Sequence, residues 1–154
     1  TPISQTLYPF ISRKSNESKE AVLLIIRKVA FISILISFIL TLFLYVFAEE
    51  ILLLIFGSEA QNSVFIFKIL SIIPFLVVID TLFGTLLMLV FKKNKEYSFI
   101  IISAGIINLI LALFLIPALE AKGAALSVLL VEIYITIRIL YYTHNNGLSI
   151  FKRY

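Results

Sequence analysis

Three polar side chains stand where an apolar residue would cost far less. Asp80 is the midpoint of the apolar run 69–91, Asn108 the midpoint of 97–119, and Glu132 lies within a residue of the middle of 123–143. Two carboxyls and an amide at one depth can do one of two things. They can form a midplane polar layer that relays a proton or a cation, or they can act as interhelical glue, with the acids neutral and hydrogen-bonded. On insertion scales a central Asp costs about 2.5 to 3.5 kcal/mol, so these side chains should face protein or enclosed water rather than lipid. Arg138 stands apart from them. It is six residues past Glu132, roughly 9 Å along a helix and far around it, so the two do not pair directly. Near the end of its run it can snorkel to lipid phosphate or touch an anionic substrate headgroup.

The rest of the composition removes other chemistries. The chain has no cysteine and one histidine, His144, which leaves no thiolate nucleophile, disulfide or clustered metal ligands. No glycine-rich phosphate loop or serine elbow is present, so no catalytic residue, metal or cofactor is expected. The net charge of +4 and a pI near 9.4 would suit nucleic acid if the basic residues formed one stripe. They fall instead in short clusters between apolar runs, and no nucleic-acid partner is expected.

The elements that hold Asp80, Asn108 and Glu132 must be membrane helices. Hydrophobic residues make up 61% of the chain and the mean hydropathy is +1.09; a soluble domain of this length could not hide four such runs, so lipid is the expected solvent. The fold class that follows is all-α: a polytopic transmembrane helical bundle with four spanning helices at 19–47, 64–91, 97–119 and 123–143. The end of a preceding helix and a short interfacial segment at 49–58 complete it. Ser33, Ser37 and Thr41 recur every four residues, which gives the first span a small, hydroxyl-bearing packing face, or alternatively a stripe facing substrate. Pro74 should kink the second span, and Gly84 should let a neighbouring helix approach. Lys122-Gly123 supplies a short turn between the last two spans.

Charge sets the orientation. Loops 13–18 and 92–96 and the tail 144–154 are expected in the cytoplasm. With that assignment eleven of the thirteen Lys and Arg residues lie inside, leaving only Lys68 and Lys122 outside, and both termini are cytoplasmic. The beginning Thr1-Pro2-Ile3 has neither an initiator nor a signal-peptide pattern, so the chain is expected to be a piece of something longer.

Several stretches taken in order carry a resemblance over nearly the whole chain: TPISQTLYPFISR, the span followed by ILLLIFGSE, FKILSIIPFLVV, the basic turn KKNKEY, and AGIINLILALFLIPALEAKGAALSVLLVE. In these the chain resembles the C-terminal part of a polysaccharide (O-antigen type) flippase, of the superfamily that also holds multidrug exporters. It departs from that pattern at PALEAKGAA, where such proteins more often carry glycine shortly after the proline. The resemblance implies a bacterial or archaeal cytoplasmic membrane protein of about twelve or more helices in two rocking lobes. Its partners would be membrane lipid, the remaining N-terminal helices of the same transporter, and a lipid-linked oligosaccharide. The cargo, undecaprenyl-diphosphate-linked, would be flipped to the outer leaflet during polysaccharide or lipopolysaccharide synthesis. Under this resemblance Ser4, Gln5 and Tyr8 would lie nearest the cavity and meet sugar or pyrophosphate.

Three other readings stay open: a multidrug-type exporter, a polytopic saccharide polymerase or transferase using Asp80 or Glu132 as acid or base, and a four-helix scaffold. The absence of long polar loops speaks against the enzyme.

Overall fold

The computed structural model describes residues 19–148, all of it helices and their turns, with no strand among the described residues. Helix α1 (Lys19–Val46) has 28 residues and rises about 42 Å, more than a bilayer core of about 30 Å requires. The short α2 (Ala48–Phe56) follows, with Glu49 and Glu50 in its first turn, where the positive end of the helix dipole favours acids. A 3₁₀ turn (Gly57–Ser63) leads into α3 (Val64–Leu70) and α4 (Ile73–Asp80). A π-helical segment (Thr81–Met88) completes that limb.

The kink expected at Pro74 falls at Ser71-Ile72, just before α4 begins. A proline ring collides with the carbonyl four residues earlier and lacks the N–H that would continue the helix, so the interruption lies upstream of the ring. The turn after the π segment carries the basic cluster. Lys92 has a left-handed φ of 59°. The Lys93 N–H bonds the Met88 carbonyl at 2.8 Å, and the Lys92 N–H bonds that of Leu89 at 3.0 Å, the reciprocal pattern that closes a helix C-terminus.

Helix α5 (Asn94–Asn145) runs for 52 residues but contains one non-helical residue, Glu120, at φ 50° and ψ −127°. Its two limbs, 94–119 and 121–145, fold against each other. The Ser103 and Tyr134 hydroxyls share a hydrogen bond of 2.9 Å across 31 residues, which a straight helix would separate by about 46 Å. The turn expected at Lys122-Gly123 is therefore at Glu120. Gly123 serves the packing instead. A Cβ there would collide with the Leu115 carbonyl, so only glycine lets the returning limb pass that backbone.

Among the described residues, three helical stretches are long and apolar enough to cross a membrane: Val22–Val46, Val64–Met88 and the bent Asn94–Asn145. Their surfaces are apolar as well. Phe31 is 72% exposed, Leu54 88% and Phe114 75%. Water would not tolerate so extended an apolar surface.

Packing differs along the bundle. Around the Lys92 turn the core is built of large side chains, with Ile26 of α1, Leu86, Leu87 and Met88 of the π segment, and Ile139 of α5 fully buried together. Toward the other end many of the buried residues are small: Ser37, Ala48, Ala60, Gly123, Ala125 and Ser127. Small residues allow close backbone approach where lipid gives no hydrophobic drive for association.

Candidate functional site: a carboxyl pair between two limbs

Asp80 is the last residue of α4, and the backbone passes into the π segment directly after it. Such widened turns change the direction in which successive side chains point and recur at functional sites. Gly84, buried within the segment, sits so close to its neighbours that a Cβ would lie 2.6 Å from the Tyr97 ring and 2.9 Å from Ile139. The expected close approach at Gly84 is thus made by Tyr97 and Ile139 of α5. The Tyr97 hydroxyl also lies 3.3 Å from the Thr85 hydroxyl, which ties the π segment to the first limb of α5.

The second limb of α5 completes the site. Thr136 donates its hydroxyl to Asp80 Oδ1 at 2.8 Å, and Glu132, one turn earlier on the same face, lies near enough for its charge to act on Asp80. The other oxygen, Asp80 Oδ2, is buried with no hydrogen-bond donor among the described residues. Two carboxylates offer each other only acceptors, so a proton or another cation between them would supply what this oxygen lacks.

Asn108 stands apart from that pair. No hydrogen bond among the described residues joins it to Asp80 or Glu132, and its own Oδ1 is buried without a partner. Taking the Ser103–Tyr134 bond as the level mark between the limbs, Asn108 lies roughly 4 to 5 Å farther than Glu132 toward the Glu120 bend. The hydroxyl face of α1 packs inward: Ser37 is buried and donates to the Ile34 carbonyl at 3.0 Å, while Thr41 Oγ1 is buried without a partner.

Arg138 is exposed and lines a separate cavity of about 410 Å³ with Lys95, Glu96, Phe99, Tyr141 and Tyr142. Glu96, in the basic turn before the apolar run begins, is held below the usual carboxylate range, chiefly by its own backbone N–H, with further help from the Tyr142 hydroxyl and the charges of Lys93 and Lys95. Arg138 thus belongs to the polar end of the bundle, away from Asp80. Ser4, Gln5 and Tyr8 lie outside the described residues.

Thr136 and Tyr97 were not singled out by the sequence. Thr136 had one available signal, its spacing of four from Glu132, which places both on one helical face. Tyr97 had none, because its role depends on the missing side chain of Gly84.

The chain is 30% identical over 149 residues, 97% of its length, to a protein of Escherichia coli (strain K12) named "Putative O-antigen transporter". The chain spans 36% of that relative's length. No family profile matches the chain, and no solved structure does.

Proposed function

We propose that this chain is the C-terminal part of a polysaccharide flippase, a transporter that carries an undecaprenyl-diphosphate-linked oligosaccharide across the bacterial cytoplasmic membrane by alternating access. The observation that carries this reading is the similarity to the O-antigen transporter, which continues through nearly every residue of the chain. The four limbs 19–46, 64–88, 97–119 and 121–145 each cross the bilayer. The Lys92 turn and both chain ends lie in the cytoplasm, in keeping with the basic excess on that side.

Within this reading Asp80 and Glu132 form the coupling element. Thr136 fixes one oxygen of Asp80, and the other is buried without a hydrogen-bond partner among the described residues. A proton taken up between the carboxyls binds the π-segment limb to the second limb of α5. Its release leaves two like charges in contact, which drives the limbs apart. Ser4, Gln5 and Tyr8 are assigned to the saccharide or pyrophosphate, and Arg138 to an anionic headgroup at the cytoplasmic face. No step forms or breaks a covalent bond in the substrate.

The test is expression of the complete gene containing this chain in an Escherichia coli strain lacking its O-antigen transporter. Restored display of lipid-linked saccharide at the outer leaflet, abolished by permeabilising the membrane, supports the proposal. Hydrolysis or extension of the saccharide by detergent-solubilised protein, with no sealed membrane, would assign the chain to the enzyme class instead.

A further inference from the structure

A second cavity lies along α1, between that helix and α4. It is a groove of about 880 Å³, within the range of small-molecule sites. Its wall is one stripe of α1, Phe31, Leu35 and Phe38, and Phe75 of α4 faces that stripe. The Phe38 and Phe75 rings meet edge-on with centroids 5.9 Å apart and close the far end. At the near end stand Arg27 and Lys28, both exposed and neither paired with a carboxylate among the described residues.

The dimensions fit one leaflet. From Arg27 to Phe38 α1 rises roughly 16 Å, close to half of a bilayer core of about 30 Å. Two adjacent cations at headgroup level, above an apolar channel that ends near the midplane, complement one kind of occupant: a phosphate-bearing head with a hydrocarbon tail. We infer that this groove is a binding site for an anionic phospholipid of the cytoplasmic leaflet, with its phosphate on Arg27 and Lys28 and an acyl chain along Phe31, Leu35 and Phe38. A second copy of the chain would match the apolar wall, but it would leave the two cations without counter-charge. The inference rests on the membrane reading of the fold and on the orientation proposed above, and is independent of what is transported.

The test uses the complete protein containing this chain, reconstituted in phosphatidylcholine vesicles with a minor share of phosphatidylglycerol, then extracted in mild detergent. The lipid that remains bound is identified by native mass spectrometry. Phosphatidylglycerol should be retained well above its share. Arg27→Ala with Lys28→Ala should weaken that retention about thirtyfold, at roughly a factor of five per basic residue. Leu35→Trp, which fills the groove and leaves the cations in place, should expel the lipid. Lys92→Ala with Lys93→Ala, which removes an equal charge at another cytoplasmic site, should change nothing. Inorganic phosphate should not compete, because the tail supplies much of the binding. Retention in proportion to bulk lipid, equal loss from the Lys92/Lys93 variant, or displacement by inorganic phosphate would each overturn the proposal. So would lipid-free chains that cross-link in pairs through Leu35→Cys, which would give the groove to a second copy.

Discussion

A carboxylate oxygen buried without a donor is costly, and Asp80 carries one in the middle of an apolar limb. The arrangement around it separates the roles of its neighbours. Removing the Thr136 donor with Thr136→Val keeps side-chain shape while leaving Asp80 Oδ1 unsatisfied; a destabilisation of about 1 to 3 kcal/mol is expected in detergent unfolding. Glu132→Gln should act in the opposite sense on stability, because the amide N–H₂ supplies the missing donor to Asp80. The same variant, with Asp80→Asn, should remove the pH dependence of transport in proteoliposomes. Normal transport across pH by both variants would rule out the coupling role. At this scale the sequence was most informative for charge. An Asp or Glu inside an apolar run is visible in one dimension, so Asp80 and Glu132 stood out. Thr136 did not, because a threonine costs little in lipid and marks no position by itself. The sequence midpoints also put Asn108 level with the two acids, whereas limb pairing through Ser103 and Tyr134 shifts it toward the bend.

At the scale of elements, the long apolar helices were legible, because hydrocarbon demands long uncharged helices whose lengths follow from bilayer thickness. The π segment was not legible. Thr81–Met88 has the same apolar composition as its neighbours, and hydropathy does not encode which carbonyl an N–H selects. The bend in α5 was legible to within a few residues, with its chemistry assigned to the wrong position: Gly123 suggests a turn, but its missing side chain serves the contact with Leu115. The turn itself is made by Glu120, in a left-handed conformation that costs a residue with a side chain of order 1 to 3 kcal/mol. Opposite effects are therefore expected at these two nearby positions. Glu120→Gly should raise the thermal midpoint by relieving that conformation, offset in part by the entropy of the unfolded glycine. Gly123→Ala should lower stability by about 1 to 3 kcal/mol or more, since the Leu115 backbone cannot yield as a side-chain tip could.

The whole molecule combines a core of large side chains at the Lys92 end with smaller buried residues toward the Glu120 end. The large-residue end is suited to staying closed, while an end packed largely through small residues can separate at lower cost, as alternating access would require. The exposed apolar surface suits a membrane setting, and both the proposed coupling pair and the proposed lipid groove depend on how the chain crosses it. Because these 154 residues hold no cysteine, single cysteines placed in them report position once any cysteine elsewhere in the complete protein is replaced. Asn94→Cys at the basic turn and Lys122→Cys beside the bend, probed in intact cells with a membrane-impermeant maleimide, test this directly. Labelling of Lys122→Cys from outside, with Asn94→Cys reached only after permeabilisation, is the predicted result. Labelling of both positions from the same side, or of Asn94→Cys alone in intact cells, would contradict it.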